Sequence, residues 1–373
     1  MAKEKQHGIR GRTASARNQC IVADSAVEHK AQLNTANLPS TQDRYMARPV
    51  PLARQDSAGG RTVEELLGEG FILVRWDGST THPLVDSAGR VFAVLAGKLH
   101  DASFDGACES LYKLMDHELS KFEMKEGQTR HRRGNFPAFT VGMSYGNGQT
   151  EPSRLVPGDT GPNSEGLTYN TRLTCIIQSP ELQRIASYRD AAFQLWAPRL
   201  HSYYRNHVKR LHKALPHLHR NFHCSVFPCA TLNFRPKVQT VKHQDTLNLA
   251  HGWCSITALG QFDHRKGGHI VLWNAKVVIE FPSHSTILIP SATIAHSNLE
   301  IHDSECRVSF TQYCAGGIFQ WVDNGCRTQH NFRKADFEEY SRTMERQQTG
   351  WVEGLRLYST LDEIILPKEQ NDK

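Results

Sequence analysis

Three side chains in one stretch of this chain can hold a metal ion. His243 and Asp245 stand two residues apart in Val241-Lys-His-Gln-Asp-Thr-Leu-Asn248, and His296 follows about fifty residues later. On a β-strand, residues i and i+2 point to the same face, so His243 and Asp245 can reach one ion from one strand. His296 comes after the apolar run Thr286-Ile-Leu-Ile-Pro290 and the turn-like Ser291-Ala292-Thr293, so a second strand can carry it to the same ion. Two histidines and one carboxylate on one face of a metal leave positions open, the arrangement that non-haem Fe(II) oxygenases use for a co-substrate and oxygen. About eleven residues further, Arg307 opens an alternating run in which Arg307, Ser309, Thr311 and Tyr313 share a face. A planar guanidinium grips a carboxylate through two parallel hydrogen bonds, so Arg307 suits an acidic co-substrate, and Ser309 can add a hydroxyl. The chain has 20 histidines, and His251, His264, His269, His284 and His302 compete for the place of third ligand. The plainest alternative is a jelly-roll whose histidines are ordinary core or surface groups.

The order H-x-D, distal histidine, arginine resembles that of the 2-oxoglutarate/Fe(II)-dependent dioxygenases. His243-Gln-Asp245-Thr-Leu-Asn248 has the H-x-D-x-x-N form of the TET/JBP nucleic-acid-base oxygenases. Gly267-Gly268 precedes the strand-like Ile270-Val-Leu-Trp273, and Phe310-Thr-Gln-Tyr313-Cys-Ala-Gly-Gly317 is similar to the fungal, transposon-associated branch of that family. The resemblance covers roughly Val141 to Asp323. It implies an α+β fold with a double-stranded β-helix (jelly-roll) core flanked by helices. It implies Fe(II) on His243, Asp245 and His296, with His296 at the family's distance from Arg307. It also implies 2-oxoglutarate on Arg307 and Ser309, with Asn233 and Arg235 where relatives often reach the co-substrate. The implied substrate is methylated DNA with its target base flipped out of the duplex: Asn248 against the base edge, Tyr313 stacked on its face. 5-Methylcytosine is the first candidate. Ala315 stands where animal relatives place a base-contacting histidine, which keeps N6-methyladenine as an alternative. RNA, protein or a small molecule under the same chemistry, or an inactive jelly-roll that only binds DNA, are further alternatives. A nuclear, monomeric enzyme is expected.

The elements that must position these groups are readable in outline. Residues 1–60, with nine Lys/Arg against five Asp/Glu and no sustained apolar period, are expected to be a disordered basic tail. Its first cations, Lys3 to Arg17, read as a solvated segment, an address or a loose DNA tether. Residues 61–373 are expected to form a single dioxygenase domain: strands and helices over 61–220, the β-helix core over 221–325, and C-terminal helices over 326–373. A short helix is predicted at Val63–Leu67, and strands at Phe71–Trp76, Val91–Leu95, Phe222–Phe227 and Ala230–Phe234. Phe104, Cys108, Leu111, Met115 and Leu119 recur at helical steps. Ser179-Pro180-Glu181 is a helix start, with a capping hydroxyl and proline in the first turn. A further helix from Pro198 carries a basic face of Arg199, Arg205, Lys209, Arg210 and Lys213, read as solvated or as a DNA-phosphate surface. Residues 153–170 read as a long surface loop, and Phe319–Val322 as an extension of the last core strand. The basic run Thr129-Arg-His-Arg-Arg133 reads as a solvated loop or a phosphate contact.

The net charge of +6 is compatible with a polyanionic partner. Nine cysteines are scattered without C-x-x-C pairs, the pattern of reduced thiols in cytosol or nucleus. No apolar run reaches the length of a membrane span.

Overall fold

The computed structural model describes residues 25–40, 45–49, 61–121, 129–146, 148–155, 165–234 and 237–365. In chain order its strands are β1 (His29–Lys30), β2 (Ile72–Val74), β3 (His82–Val85), β4 (Val91–Gly97), β5 (Ala138–Ser144), β6 (Ser153–Leu155) and β7 (Cys229–Asn233). They continue with β8 (Cys254–Gln261), β9 (Ile270–Leu272), β10 (Val277–Ile279), β11 (Thr286–Ile289), β12 (His296–Asn298) and β13 (Cys306–Tyr313). One sheet of nine strands has the order β1-β3-β4-β11-β8-β13-β7-β5-β6, and a second of four has the order β12-β9-β10-β2. From β8 onward the chain alternates between them: β8 in the large sheet, β9 and β10 in the small, β11 large, β12 small, β13 large. That alternation makes a double-stranded β-helix core within an α+β fold.

Helices flank the sheets. They are α1 (Val63–Gly68), α2 (Ala102–Leu119), α3 (Glu165–Gln178), α4 (Pro180–Trp196), α5 (Pro198–Ala214), α6 (Gly316–Asp323), α7 (Gln329–Ala335), α8 (Phe337–Gln347), α9 (Gly350–Leu355) and α10 (Leu361–Ile365). Local chemistry sets their ends. Thr62 and Glu65 close a capping box on α1, and Ser179 caps α4 ahead of Pro180. On α2 the predicted apolar stripe Phe104, Cys108, Leu111 and Met115 is fully buried, packed with Ile185 and Ala186 of α4 against Val308 and Phe310 of β13. Because side chains alternate along a strand, Arg307, Ser309, Thr311 and Tyr313 leave β13 on the other face, between the sheets. Among the described residues no helix is long and apolar enough to cross a membrane.

Several expectations change. Residues 25–40 and 45–49 are ordered against the body, so the predicted disorder does not extend through the tail: β1 pairs with β3, and Tyr45 is 1% exposed. Residues 1–24, including the first cations, lie outside the described residues. The segment 153–170 is not one loop, since Ser153–Leu155 adds a strand to the sheet edge and α3 starts at Glu165. Phe319–Val322 lies in helix α6 rather than a strand, because the backbone turns at Ala315 and the helix buries Ile318, Phe319, Trp321 and Val322 on the core. Phe222–Phe227 is irregular, and the strand begins at Cys229, after Pro228. Strand β3, with Pro83 inside it, escapes a propensity reading. The cations of α5 are partly committed to packing: Arg199 pairs with Glu363, and Arg210 binds the Val322 carbonyl and Asp323.

Candidate metal and co-substrate site

The small sheet brings the two histidines together. His243 and His296 form an antiparallel bridge, with His243 N donating to His296 O at 3.1 Å and His296 N to His243 O at 2.9 Å. Their rings lie 4.2 Å apart, centroid to centroid. Asp245 reaches the same point two residues on, with its oxygens 3.9 Å from His243 Nε2 and 4.0 Å from His296 Nε2. Among the described residues these three are the only His/Cys/Asp/Glu trio whose ligand atoms lie within 4.8 Å of one another. The competing histidines go elsewhere. His284 bonds Asp105, His302 bonds Ser304 in an exposed turn, and His251 is buried against Tyr203.

Ring chemistry makes this a ligand set. His243 Nδ1 lies 2.7 Å from Val241 O, and His296 Nδ1 lies 3.0 Å from Ile294 O. A carbonyl oxygen can only accept, so each Nδ1 carries the proton and each Nε2 presents a lone pair to the shared point. Burial, then the neighbouring His296, push the His243 pKa down to about 3. Burial likewise lowers that of His296, so both rings are neutral at pH 7. Burial works to raise the Asp245 pKa, but the two histidines, Arg133 and Arg132 outweigh it and the carboxyl stays ionised. Two neutral imidazoles and one carboxylate are the donor types that a divalent first-row metal takes.

Arg307 is 2% exposed, on the face of β13 that looks between the sheets. Its Nη1 donates to Val238 O at 2.9 Å, while its Nε has no acceptor. Among the described residues no carboxylate pairs with it, and its guanidinium lies 5.7 Å from the Phe281 ring and 5.8 Å from Phe262. Burial lowers its pKa to about 10, which still leaves a cation at neutral pH. A buried cation with an idle donor is an incomplete arrangement that an acidic ligand would complete. Ser309 sits next on that face, opposite Asn233 of β7, whose Nδ2 donates to Ser309 Oγ at 3.0 Å. That leaves the Ser309 hydroxyl hydrogen to donate, and Asn233 Oδ1 is buried without a partner. The idle Arg307 Nε and the Ser309 hydroxyl are donors that fit a carboxylate, whereas the Asn233 oxygen only accepts and fits a donor. Arg235 lies outside the described residues.

A cavity of about 730 Å³ opens beside the triad. Asp245, Asn248, Thr311 and Tyr313 line it, so two residues beyond Ser309 the strand face reaches open space. Asn248 Nδ2 approaches Ser291 Oγ at 3.3 Å. Burial raises the Tyr313 pKa. Three further groups contribute. Arg132 binds Gln244 O at 3.0 Å and Asp245 Oδ1 at 3.3 Å, and it lines the cavity with Arg133. Tyr145, Gly146 and Gln149, from the turn that follows β5, form a second wall, and Met46 contributes from the N-terminal segment. The compact cationic run was the only signal for the first, and nothing in composition marked Met46.

A double-stranded β-helix carrying a two-histidine, one-aspartate triad is a 2-oxoglutarate/Fe(II)-dioxygenase-like fold. No protein-family model matches the chain, and no curated protein matches it. Among solved structures it is similar to NgTET1 in complex with 5mC DNA, at 12% identity and a TM-score of 0.39 over 69% of this chain and 92% of that one. It is similar to an oxidoreductase of the 2OG-Fe(II) oxygenase family from Burkholderia pseudomallei, at 13% identity and a TM-score of 0.31 over 61% of this chain and 86% of that one. JOX2 in complex with 2OG, Fe and JA is a further likeness, at 11% identity and a TM-score of 0.26 over 75% of this chain and 80% of that one.

Proposed function

We propose that this chain, with the N-terminal residues 25–40 and 45–49 packed on the body that begins at residue 61, acts as one 2-oxoglutarate- and Fe(II)-dependent dioxygenase that oxidises the methyl group of a methylated DNA base, 5-methylcytosine to 5-hydroxymethylcytosine and further. The observation that carries this is the triad itself, with both Nε2 lone pairs aimed at one point beside an ionised carboxylate. When bound, iron and 2-oxoglutarate would turn dioxygen into an oxidant able to take hydrogen from a methyl group, one oxygen atom going to the succinate formed with carbon dioxide and the other to the new hydroxyl.

The chain's own groups do the rest. His243, Asp245 and His296 hold the metal. Arg307 and Ser309 donate to the distal carboxylate of 2-oxoglutarate beside the rings of Phe281 and Phe262, and Asn233 holds the Ser309 hydroxyl in place. A base inside a duplex cannot reach a recessed triad, so the target nucleotide must be flipped out. Asn248, its amide nitrogen turned to Ser291, keeps a carbonyl oxygen for an exocyclic amine. Tyr313 offers a ring face, and stacking of that kind contributes about 1–3 kcal/mol per base. Arg132 and Arg133 suit the flanking phosphates. Nuclear residence, expected from the family resemblance and the basic N-terminal residues, belongs to the same proposal. The small Ala315 on the cavity wall supports a second reading, in which the larger N6-methyladenine enters.

The test is mass spectrometry of nucleosides from duplexes carrying 5-methylcytosine or N6-methyladenine, incubated with protein, Fe(II), ascorbate and 2-oxoglutarate. Oxidised cytosine or demethylated adenine, absent without 2-oxoglutarate and absent with Asp245→Ala, is the expected result. Succinate formed without any change in either DNA would move the chemistry to another substrate. Undiminished succinate from Asp245→Ala would remove the triad assignment.

A further inference from the structure

We propose that residues 45–47 are a built wall of the substrate pocket, and that Met46 and Leu247 form an apolar lip packing against nucleic acid beside the reacting base. This deepens the reading above and rests on it. The segment is anchored at three points. Tyr45 is 1% exposed, and its hydroxyl donates to Asp323 Oδ2 at 2.8 Å. Asp323 is itself held by His207 Nε2 at 2.8 Å and by Arg210. Ala47 N donates at 3.0 Å to the carbonyl of Thr246, the residue after Asp245, so the wall is tied directly to the loop that carries the carboxylate ligand. The third anchor is a glycine seat. A Cβ at Gly316 would fall on the Tyr45 carbonyl, and one at Gly317 would lie 2.7 Å from Tyr145 O. The first turn of α6 is therefore bare where two pocket walls, those of Met46 and Tyr145, rest on it.

The lip has a shape that packing inside the protein does not explain. Leu247 is 67% exposed at the cavity, yet its backbone is fixed, its carbonyl taking Gly316 N at 2.9 Å. A large apolar side chain exposed on a fixed backbone, lining the same cavity as Met46, is suited to a partner's apolar face. The same cavity carries Arg132 and Arg133, and the chain is +6 overall. Cations beside an apolar lip match a nucleic acid, whose phosphates and base faces lie side by side.

The experiment uses the full chain with Fe(II) and 2-oxoglutarate on three substrates: a 5-methylcytosine duplex, the same single strand, and an N6-methyladenine duplex. Met46→Trp and Leu247→Ser should each raise the KM for the modified DNA about tenfold with kcat within about threefold, while succinate formed without DNA stays within about twofold. Gly316→Ala should reproduce the loss and expose residues 45–49 to limited proteolysis. An unchanged KM in both Met46→Trp and Leu247→Ser, with the wild type active on DNA, overturns the lip and leaves the proposed function standing. Equal loss of DNA-free succinate formation shows a structural effect and also overturns it. A wild type inactive on all three DNAs overturns the nucleic-acid reading and the lip together.

Discussion

Strand β13 separates two buried arginines, and they are finished differently. Arg189, on α4, is fully buried behind the strand, where its Nε donates to Ser255 Oγ at 2.6 Å and its Nη1 to Phe310 O at 3.0 Å. Its Nη2 binds Ser255 O, and the guanidinium lies 4.2 Å from the centroid of the Phe310 ring. Arg307, on the site face, has one backbone acceptor and an idle Nε. Neither has a carboxylate partner among the described residues. A guanidinium whose donors the protein satisfies is a cross-link between helix and sheet. One left partly unsatisfied in an equally dry place is poised for something that arrives from outside. Burial alone does not separate the two; the fate of the donors does.

Substitution should pull these roles apart. Arg307→Met is expected to raise the KM for 2-oxoglutarate by about 100-fold or more while leaving the apo-protein as stable as before, since an unpaired buried charge is removed. Steady-state succinate assays and urea titrations read the two halves; loss of stability without loss of affinity would cancel the distinction. Arg189→Met should do the reverse, lowering unfolding free energy by about 2 kcal/mol and leaving 2-oxoglutarate KM within about twofold.

A smaller effect sharpens the same contrast between finished and unfinished groups. His243, held down to about 3, and His269, held down to about 4 by burial, cannot take protons in the folded state that they take at about 6.5 when unfolded. The unfolded chain then binds more protons, so apo-protein stability should fall as pH drops from about 6.5 towards 4. The slope is at most about 1.4 kcal/mol per pH unit for each group. Urea midpoints at pH 7.5, 6 and 5 measure it. His243→Gln should flatten the slope, and an unchanged slope would mean that the ring is charged in the folded chain.

What could be read in advance follows from how local each signal is. H-x-D is legible as a ligand spacing, but the strand expected under it does not form: His243 makes a single bridge to His296, and Asp245 lies in the loop beyond it. His296 is legible because a strand-like run leads into it. Arg307 and Ser309 share a face by the two-residue strand repeat. The N-terminal wall was illegible: Tyr45, Met46 and Ala47 sit in polar sequence, and their order comes from Asp323, Thr246 and Gly316, some two hundred residues or more away in the chain. Helix α6 was misread because Phe319, Trp321 and Val322 are strand-favouring residues, and only the core beneath them selects a helix. Helix α3 was hidden by the Gly-, Pro- and Ser-rich residues before it.

The reciprocal backbone bonds between His243 and His296 have one more consequence. Together with the Nδ1 bonds to Val241 O and Ile294 O, they hold both imidazoles without help from an ion. A cage of this kind does not choose its ion by flexing around it. Two nitrogens and an oxygen at fixed spacing follow the ordinary affinity order of the first-row dications, in which nickel, copper and zinc outrank iron. Loading with the iron proposed above is then set by which metal the cell supplies and when. Mismetallation by a tighter-binding, redox-silent ion is the failure to which this architecture is most open.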